Sequence, residues 1–335
     1  MSRINKELES LHCHTRTSDG TLSYGGILNA CQKYNVGVAA FTDHDALPDE
    51  SALQELNGLK AHPTKFIVGI ELSVSHVREL VEEVPLFHIV GLFVDPRNKR
   101  LLDHCRERQE ERLARARLMI GNLERTGFVI TVEDVLAVSE GPSIGRPHIA
   151  EALLINPVNR NRLAELVDQE ISSGADAELL TKASAKEQLF RLLLGESAII
   201  KGIYVPYNDS LQLDDAVSLI RRSGGVAILA HWTFSKKVLT EAWVERLARE
   251  HRLDGIEVVY GVNVTEGKDE IKADQKSLAG ITGKYGLLAS GGGDIHNEAD
   301  LMAFSGSALA SRTVGMAAEM IKAAKPSLEW SSVRE

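Results

Sequence analysis

His12 and His14 stand two residues apart in a short extended stretch, and side chains at i and i+2 of a strand share one face. Asp294 and His296 repeat that spacing near the other end of the chain. Between the two pairs lie Asp19 in the turn Ser18-Asp19-Gly20, His44 in Thr42-Asp43-His44-Asp45, and Glu71, His88 and His231. A single catalytic metal needs three or four protein ligands. A set of six His, two Asp and one Glu suits two or three divalent ions sharing carboxylates. Imidazole and carboxylate donors without thiolate favour Mn, with Fe or Zn as alternatives, over Ca. Closely spaced ions acidify a bridging water and stabilise charge on attacking and leaving oxygens, which is the chemistry of phosphate ester hydrolysis.

Taken singly, a His near a strand end is more often a hydrogen-bonded core residue than a ligand. Six of them at the ends of separate strands are not explained one at a time, so metal binding is the expectation for the set. Cys13, between the paired histidines, points to the opposite face and is expected to be buried apolar filling. His62, His76, His104 and His251 fall in loops or helical stretches, where a surface role is expected.

The positions gain meaning from the elements around them. Leu11–Thr15, Val36–Thr42, Phe66–Leu72 and Leu86–Val94 have the composition of buried strands, with helical stretches at Tyr24–Tyr34 and Glu50–Lys60 between them. Gly225–His231, Gly255–Tyr260 and Gly286–Ser290 continue the series after residue 195, with helices at Leu213–Arg222, Thr240–Glu250 and Ala273–Tyr285. Between Leu101 and Leu194 only helical patterns occur: Arg106–Leu123, Val132–Val138 behind a Thr131/Asp134 cap, Ile149–Leu154, Arg160–Ile171 and Lys186–Leu194. Seven strands alternating with helices predict an α/β parallel sheet, close to a (βα) barrel with one unit missing. The expected division is barrel 1–97, helical insertion 98–195 and barrel 196–335, with a frayed tail after Lys325. Active sites of such folds assemble at the C-terminal strand ends.

Composition bounds the rest. Of 335 residues, 44% are hydrophobic and 25% charged, an ordinary globular balance. A net charge of −9 disfavours a nucleic-acid-coating role. No apolar run is long enough to span a bilayer, and the polar start Met1–Glu7 has no signal core. Three cysteines argue against a disulfide framework. A cytoplasmic monomer or small homo-oligomer, without membrane attachment and acting on a small phosphorylated substrate, is expected.

The motifs His12-Cys13-His14, Ser18-Asp19-Gly20, Thr42-Asp43-His44-Asp45, Gly69-Ile70-Glu71-Leu72-Ser73, His88-Ile89-Val90-Gly91, Ala230-His231 and Asp294-Ile295-His296 occur in the order found in the PHP (polymerase and histidinol phosphatase) phosphoesterases, and the sequence resembles that family over about residues 9 to 300. The branch it resembles most is the stand-alone bacterial nucleotide phosphoesterases: the 3′,5′-nucleoside bisphosphate phosphatase/5′-to-3′ exoribonucleases and PHP-type AMP phosphatases. Arg146-Pro147-His148 and Tyr204-Val205-Pro206 carry that likeness. The resemblance implies a distorted (βα)7 TIM-like barrel, the PHP fold, with a three-metal site. His12, His14, Glu71 and Asp294 would hold one ion; Asp19, His44 and His296 a second; Glu71, His88 and His231 a third. Two departures, Trp232 where the branch has Pro and Gly293 ahead of Asp294 with an acidic Asn297–Asp300 loop, leave the preferred substrate open.

The expected reaction is in-line attack of a metal-bridging hydroxide on phosphorus, making the protein a phosphoric ester hydrolase. His231, His148 and Asp19 are the candidate catalytic residues, with His231 or His148 the candidate proton donor. Arg146 and His148 open a helix, a favourable place for an anion. Arg146, His148 and Arg112 are the candidate substrate contacts. Arg108, Arg112 and Arg115 share one helix face, and that face fits a phosphate contact or an ordinary solvated surface beside Glu107, Glu110 and Glu111 equally well. The substrates expected are 3′,5′-nucleoside bisphosphate, AMP or short oligoribonucleotides cut from the 5′ end. Histidinol phosphate or another small phosphomonoester, and a catalytically silent metal-binding module, are the alternatives.

Overall fold

A computed structural model describes residues 7–77, 86–207, 211–261, 268–328 and 330–331. Seven strands form one sheet in sequence order: β1 (Leu8–Cys13), β2 (Val36–Phe41), β3 (Lys65–Val74), β4 (Phe87–Leu92), β5 (Val226–Leu229), β6 (Gly255–Val259) and β7 (Leu288–Gly291). The segment after β7 returns to β1: Ile295 N donates to His12 O at 3.2 Å, and His14 N donates to Ile295 O at 2.7 Å. Gly292 permits this closure, since a Cβ there would fall 2.6 Å from His12 N. The result is the distorted seven-stranded barrel.

One expectation changes. The sheet is not wholly parallel, because β4 runs antiparallel to both β3 and β5. The reversal serves the site: Ser73 near the end of β3 pairs with His88 near the start of β4. An antiparallel strand presents its beginning where its neighbours present their ends, so His88 reaches the same face as Glu71 and His231.

The barrel interior is filled by Leu11, Val38, Ala40, Ile67, Val90, Leu92, Ile228 and Ala230, joined by Ala317 and Met320 from the helix Met316–Ala324. Glu9 in β1 fixes that helix by accepting from Gly315 N at 2.9 Å and Ala317 N at 2.8 Å, satisfying donors that a helix start leaves open. The tail is tied rather than frayed through Ser331, whose N–H donates to Phe66 O at 2.6 Å.

Residues Glu107–Asn208 form a second compact unit with its own core, in which Met119, Leu123, Phe128, Ile149, Leu153, Leu192 and Leu193 are buried. Its extent differs from 98–195. The helix Lys99–Arg125 starts earlier, but Leu101 and Cys105 belong to the barrel core. Beyond Gly195, Ile203, Tyr204 and Val205 pack into the helical core, and Arg115 Nε donates to Val205 O at 2.6 Å. The Thr131/Asp134 cap forms in both directions. No helix among the described residues is long and apolar enough to cross a membrane.

Candidate metal centre

Glu71, fully buried in β3, is the hub of the barrel's polar cluster. Its Oε1 lies 2.8 Å from His88 Nδ1, 2.9 Å from His231 Nε2 and 3.3 Å from His12 Nε2. Its Oε2 lies 2.8 Å from His44 Nδ1 and 3.3 Å from His14 Nε2. Asp294 Oδ1 stands 3.1 Å from His14 Nε2 and 3.6 Å from His12 Nε2. Asp19 Oδ1 is 3.5 Å from His296 Nε2, and its Oδ2 is 3.8 Å from His44 Nε2. All nine residues singled out for metal binding therefore meet in one place.

Three groups have donor atoms mutually within 4.8 Å: His14, Asp19, His44 and His296; His12, His14 and Glu71; His44, Glu71 and His88. They differ in detail from the sets implied by the family resemblance. His14 joins the Asp19 group, and His44 joins Glu71 and His88. His231 and Asp294 border these groups rather than belonging to them, each through the contacts given above.

The backbone is bent to make this possible. Asp45, His231 and Asp294 have φ of 45°, 24° and 51°, in the left-handed region that L-residues rarely occupy. Such strain concentrates at functional sites. Buried carboxylates hold the loops in place. Asp43 accepts from Thr15 N at 2.8 Å, Thr15 Oγ1 at 2.7 Å and Ser18 Oγ at 2.6 Å, fixing the turn that carries Asp19. Asp45 accepts from Ser73 N at 3.0 Å and Ser73 Oγ at 2.8 Å. Glu257 in β6 contacts two candidate ligands, His12 Nδ1 through Oε1 at 2.9 Å and the His231 backbone N–H through Oε2 at 2.8 Å.

Electrostatics sort the cluster into acceptors and donors. Burial pushes the Glu71 carboxyl up, but His88, His44 and His12 outweigh it and hold it well below the carboxylate range. Asp19 and Asp294 are likewise held down against burial, Asp19 by His44 and His296, Asp294 by His12 and His296. Burial opposes charge on His296, but Asp19 and Asp294 raise it to about 10. Burial, then His296 and His44, lower His14 to about 4.

The donor set fits divalent cations. His12 Nε2, His14 Nε2, Asp19 Oδ1 and Glu71 Oε2 are buried without a hydrogen bond, although each faces opposite-charge partners. Buried polar atoms are normally satisfied, and atoms of this kind aimed into shared space are what a metal would satisfy. Cys13 takes no part. It is buried in the apolar core, and burial pushes its thiol up to about 12.

The remaining predicted residues belong to the helical unit. Arg108, Arg112 and Arg115 are buried, at 7%, 6% and 8% exposed, so the solvated-face reading of this stripe does not hold. Arg112 lies 5.6 Å and Arg115 4.2 Å from the Tyr207 ring centroid. Arg146 lies 5.6 Å from the Tyr204 ring and the same distance from Phe190. Guanidinium groups on aromatic faces are held without losing their charge. Burial, with Arg146 and Arg112 nearby, sets Arg115 below the usual arginine range, while Tyr207 and Tyr204 offset part of the shift. His148 Nδ1 accepts from Gly145 N at 3.0 Å.

Glu257 had no role in the sequence reading, nor did Asp43 or Asp45 beyond their motif. Glu257 carried a usable signal: it interrupts the apolar run Ile256, Val258, Val259 of a buried strand, where a carboxylate must be paired.

The chain is 29% identical over 290 residues to the 3′,5′-nucleoside bisphosphate phosphatase of Chromobacterium violaceum, covering 85% of this chain and 86% of that one. It is 27% identical over 289 residues to the 5′-3′ exoribonuclease Rnm of Salmonella typhimurium, covering 85% and 84%. A solved structure described as an amidohydrolase from Chromobacterium violaceum, with bound sulfate and no metal, superposes with a TM-score of 0.62 at 28% identity over 86% of this chain and 87% of that one. The PHP domain model matches residues 10–190, more than half of the sequence, and the chain belongs to the PHP domain family.

Proposed function

We propose that this phosphoric ester hydrolase acts on nucleotides, with 3′,5′-nucleoside bisphosphate, AMP or short oligoribonucleotides cut from the 5′ end as substrates, and that its nine clustered residues hold two or three divalent ions. The observation that carries the reading is Glu71, whose two oxygens face five imidazoles. When bound, the ions supply acidification of an attacking water and neutralisation of the phosphoryl oxygens.

The chain's own residues do the rest. His12, His14, Asp294 and Glu71 bind on one side of the cluster; Asp19, His44 and His296 on another; His88 and His231 complete the Glu71 side. Glu71 belongs to two of the tight groups and, with a carboxylate oxygen toward each, would be the residue shared between ions. Three ionised carboxylates, Asp19, Glu71 and Asp294, leave such a centre with net positive charge, which attracts a phosphate. Asp19 is held ionised, which suits a metal ligand and not a proton donor. His231 Nε2 is engaged by Glu71 and serves as a ligand. His148 accepts a backbone N–H at Nδ1, so its neutral form carries the proton on Nε2. Arg146 and Arg112 bind a substrate phosphate, Arg146 through two parallel hydrogen bonds.

Phosphate release from AMP, 3′,5′-bisphosphates, histidinol phosphate and 5′-phosphorylated oligoribonucleotides, measured with and without added Mn²⁺, tests the reading. Metal-dependent turnover of a nucleotide that His14→Ala abolishes supports it. Turnover confined to histidinol phosphate, or hydrolysis of amides alone, contradicts it.

A further inference from the structure

Phe234 is 59% exposed, and it is the one aromatic residue among the exposed large apolar side chains of the described residues. Its ring centroid lies 5.7 Å from that of His231, with the planes 56° apart. His231 Nε2 is in turn 2.9 Å from Glu71. A single imidazole therefore separates an exposed benzene ring from the hub of the metal centre.

The residues that carry the ring are held on both sides. Trp232 is buried, with its indole N–H donating to Leu239 O. Thr233 Oγ1 lies 2.6 Å from Tyr260 OH and donates to Asp274 Oδ2 at 2.8 Å. Ser235 closes the short turn Trp232–Phe234 by donating from its N–H to Trp232 O at 2.9 Å. Lys236 Nζ anchors the following residue on Asp274 at 2.9 Å and Glu270 at 2.6 Å. Burial and hydrogen bonds fix the residues on each side, while the Phe234 ring faces outward. An exposed apolar ring costs solvation and contributes little packing, so its placement beside reacting groups points to a ligand with a matching flat face.

We propose that Phe234 is a stacking platform for the base of a nucleotide whose phosphate is held at the metal centre. The proposal rests on the nucleotide reading given above and extends it to the feature that separates nucleotides from other phosphate esters. Every base has a π-face, so a platform of this kind recognises nucleotides as a class without distinguishing their sequence. No group able to read base edges is required.

The test compares AMP with ribose 5-phosphate, which differ only by the base, in the metal-loaded wild type, Phe234→Ala and Phe234→Trp. Base–aromatic stacking predicts that Phe234→Ala lowers the preference in kcat/KM for AMP by roughly 5- to 150-fold, mainly through KM, and that Phe234→Trp retains it. An equal loss on both substrates would mean that the ring only supports His231, and unchanged selectivity would mean that it has no role; either result overturns the assignment alone. Failure of the wild type to turn over any nucleotide overturns both this assignment and the functional reading.

Discussion

The Glu257 carboxylate lies 2.9 Å from His12 Nδ1, while the other ring nitrogen, Nε2, faces Glu71 at 3.3 Å. With its second oxygen on the His231 backbone N–H, Glu257 ties candidate ligands from two different parts of the chain to β6. Carboxylates behind ligating histidines set the tautomer and the ring orientation, and their removal typically costs about 10–100-fold in metal affinity or activity. Glu257→Gln is therefore expected to weaken metal binding by about that factor, with the far-ultraviolet circular dichroism unchanged. Titration with Mn²⁺ against a competing chelator measures it, and wild-type affinity in the variant would remove Glu257 from the account.

Glu71 participates in two donor groups, whereas Asp19 participates in one. Glu71→Gln should lose more than one ion per chain, and Asp19→Asn one. Both should reduce turnover by orders of magnitude. Elemental analysis of the purified variants reads the counts directly, and equal losses would show that Glu71 does not bridge.

The metal-free protein should have a stability optimum near pH 6.5. His296 is raised from 6.5 to about 10, so its contribution is fully present below 6.5 and is lost as pH rises toward 10. His14 is lowered to about 4, so the folded state is progressively penalised as pH falls from 6.5 through 4. Ions replacing the proton on His296 should raise the alkaline side of the profile. Melting temperature against pH, with chelator and with Mn²⁺, checks both limbs. An alkaline limb that is flat in chelator would contradict the assigned pairing of His296 with Asp19 and Asp294.

Arg146→Ala should raise KM for nucleotide substrates by about 10-fold or more, the scale of a lost charge-assisted hydrogen bond at a phosphate. Arg146→Lys should restore only part of it, because an ammonium lacks the planar fork. Steady-state kinetics on AMP measure the effect; a fall in kcat at constant KM would assign Arg146 to a different step.

How much the chain reveals in advance depends on the kind of residue. The ligand candidates were legible because imidazoles recurred at strand ends and in i, i+2 pairs, patterns that apolar packing does not generate. The seven strands were legible from their apolar runs. The reversal of β4 was not: periodicity is blind to strand direction, and only the pairing of Ser73 with His88 shows that the start of β4 lies beside the ends of its neighbours. Helices Glu298–Gly306 and Met316–Ala324 were missed, the first because its apolar residues show almost no one-sidedness. The arginine stripe stayed ambiguous because the rings that Arg112 and Arg115 face, Tyr204 and Tyr207, lie roughly ninety positions away, and no local pattern encodes those contacts.

The most direct measurement is the metal content of the barrel: elemental analysis of the protein loaded with Mn²⁺, combined with anomalous scattering from its crystals. Two or three anomalous peaks are expected within the ring formed by His12, His14, Asp19, His44, Glu71, His88, His231, Asp294 and His296. A single peak, or none, in a protein that still hydrolyses its phosphate ester would contradict that expectation.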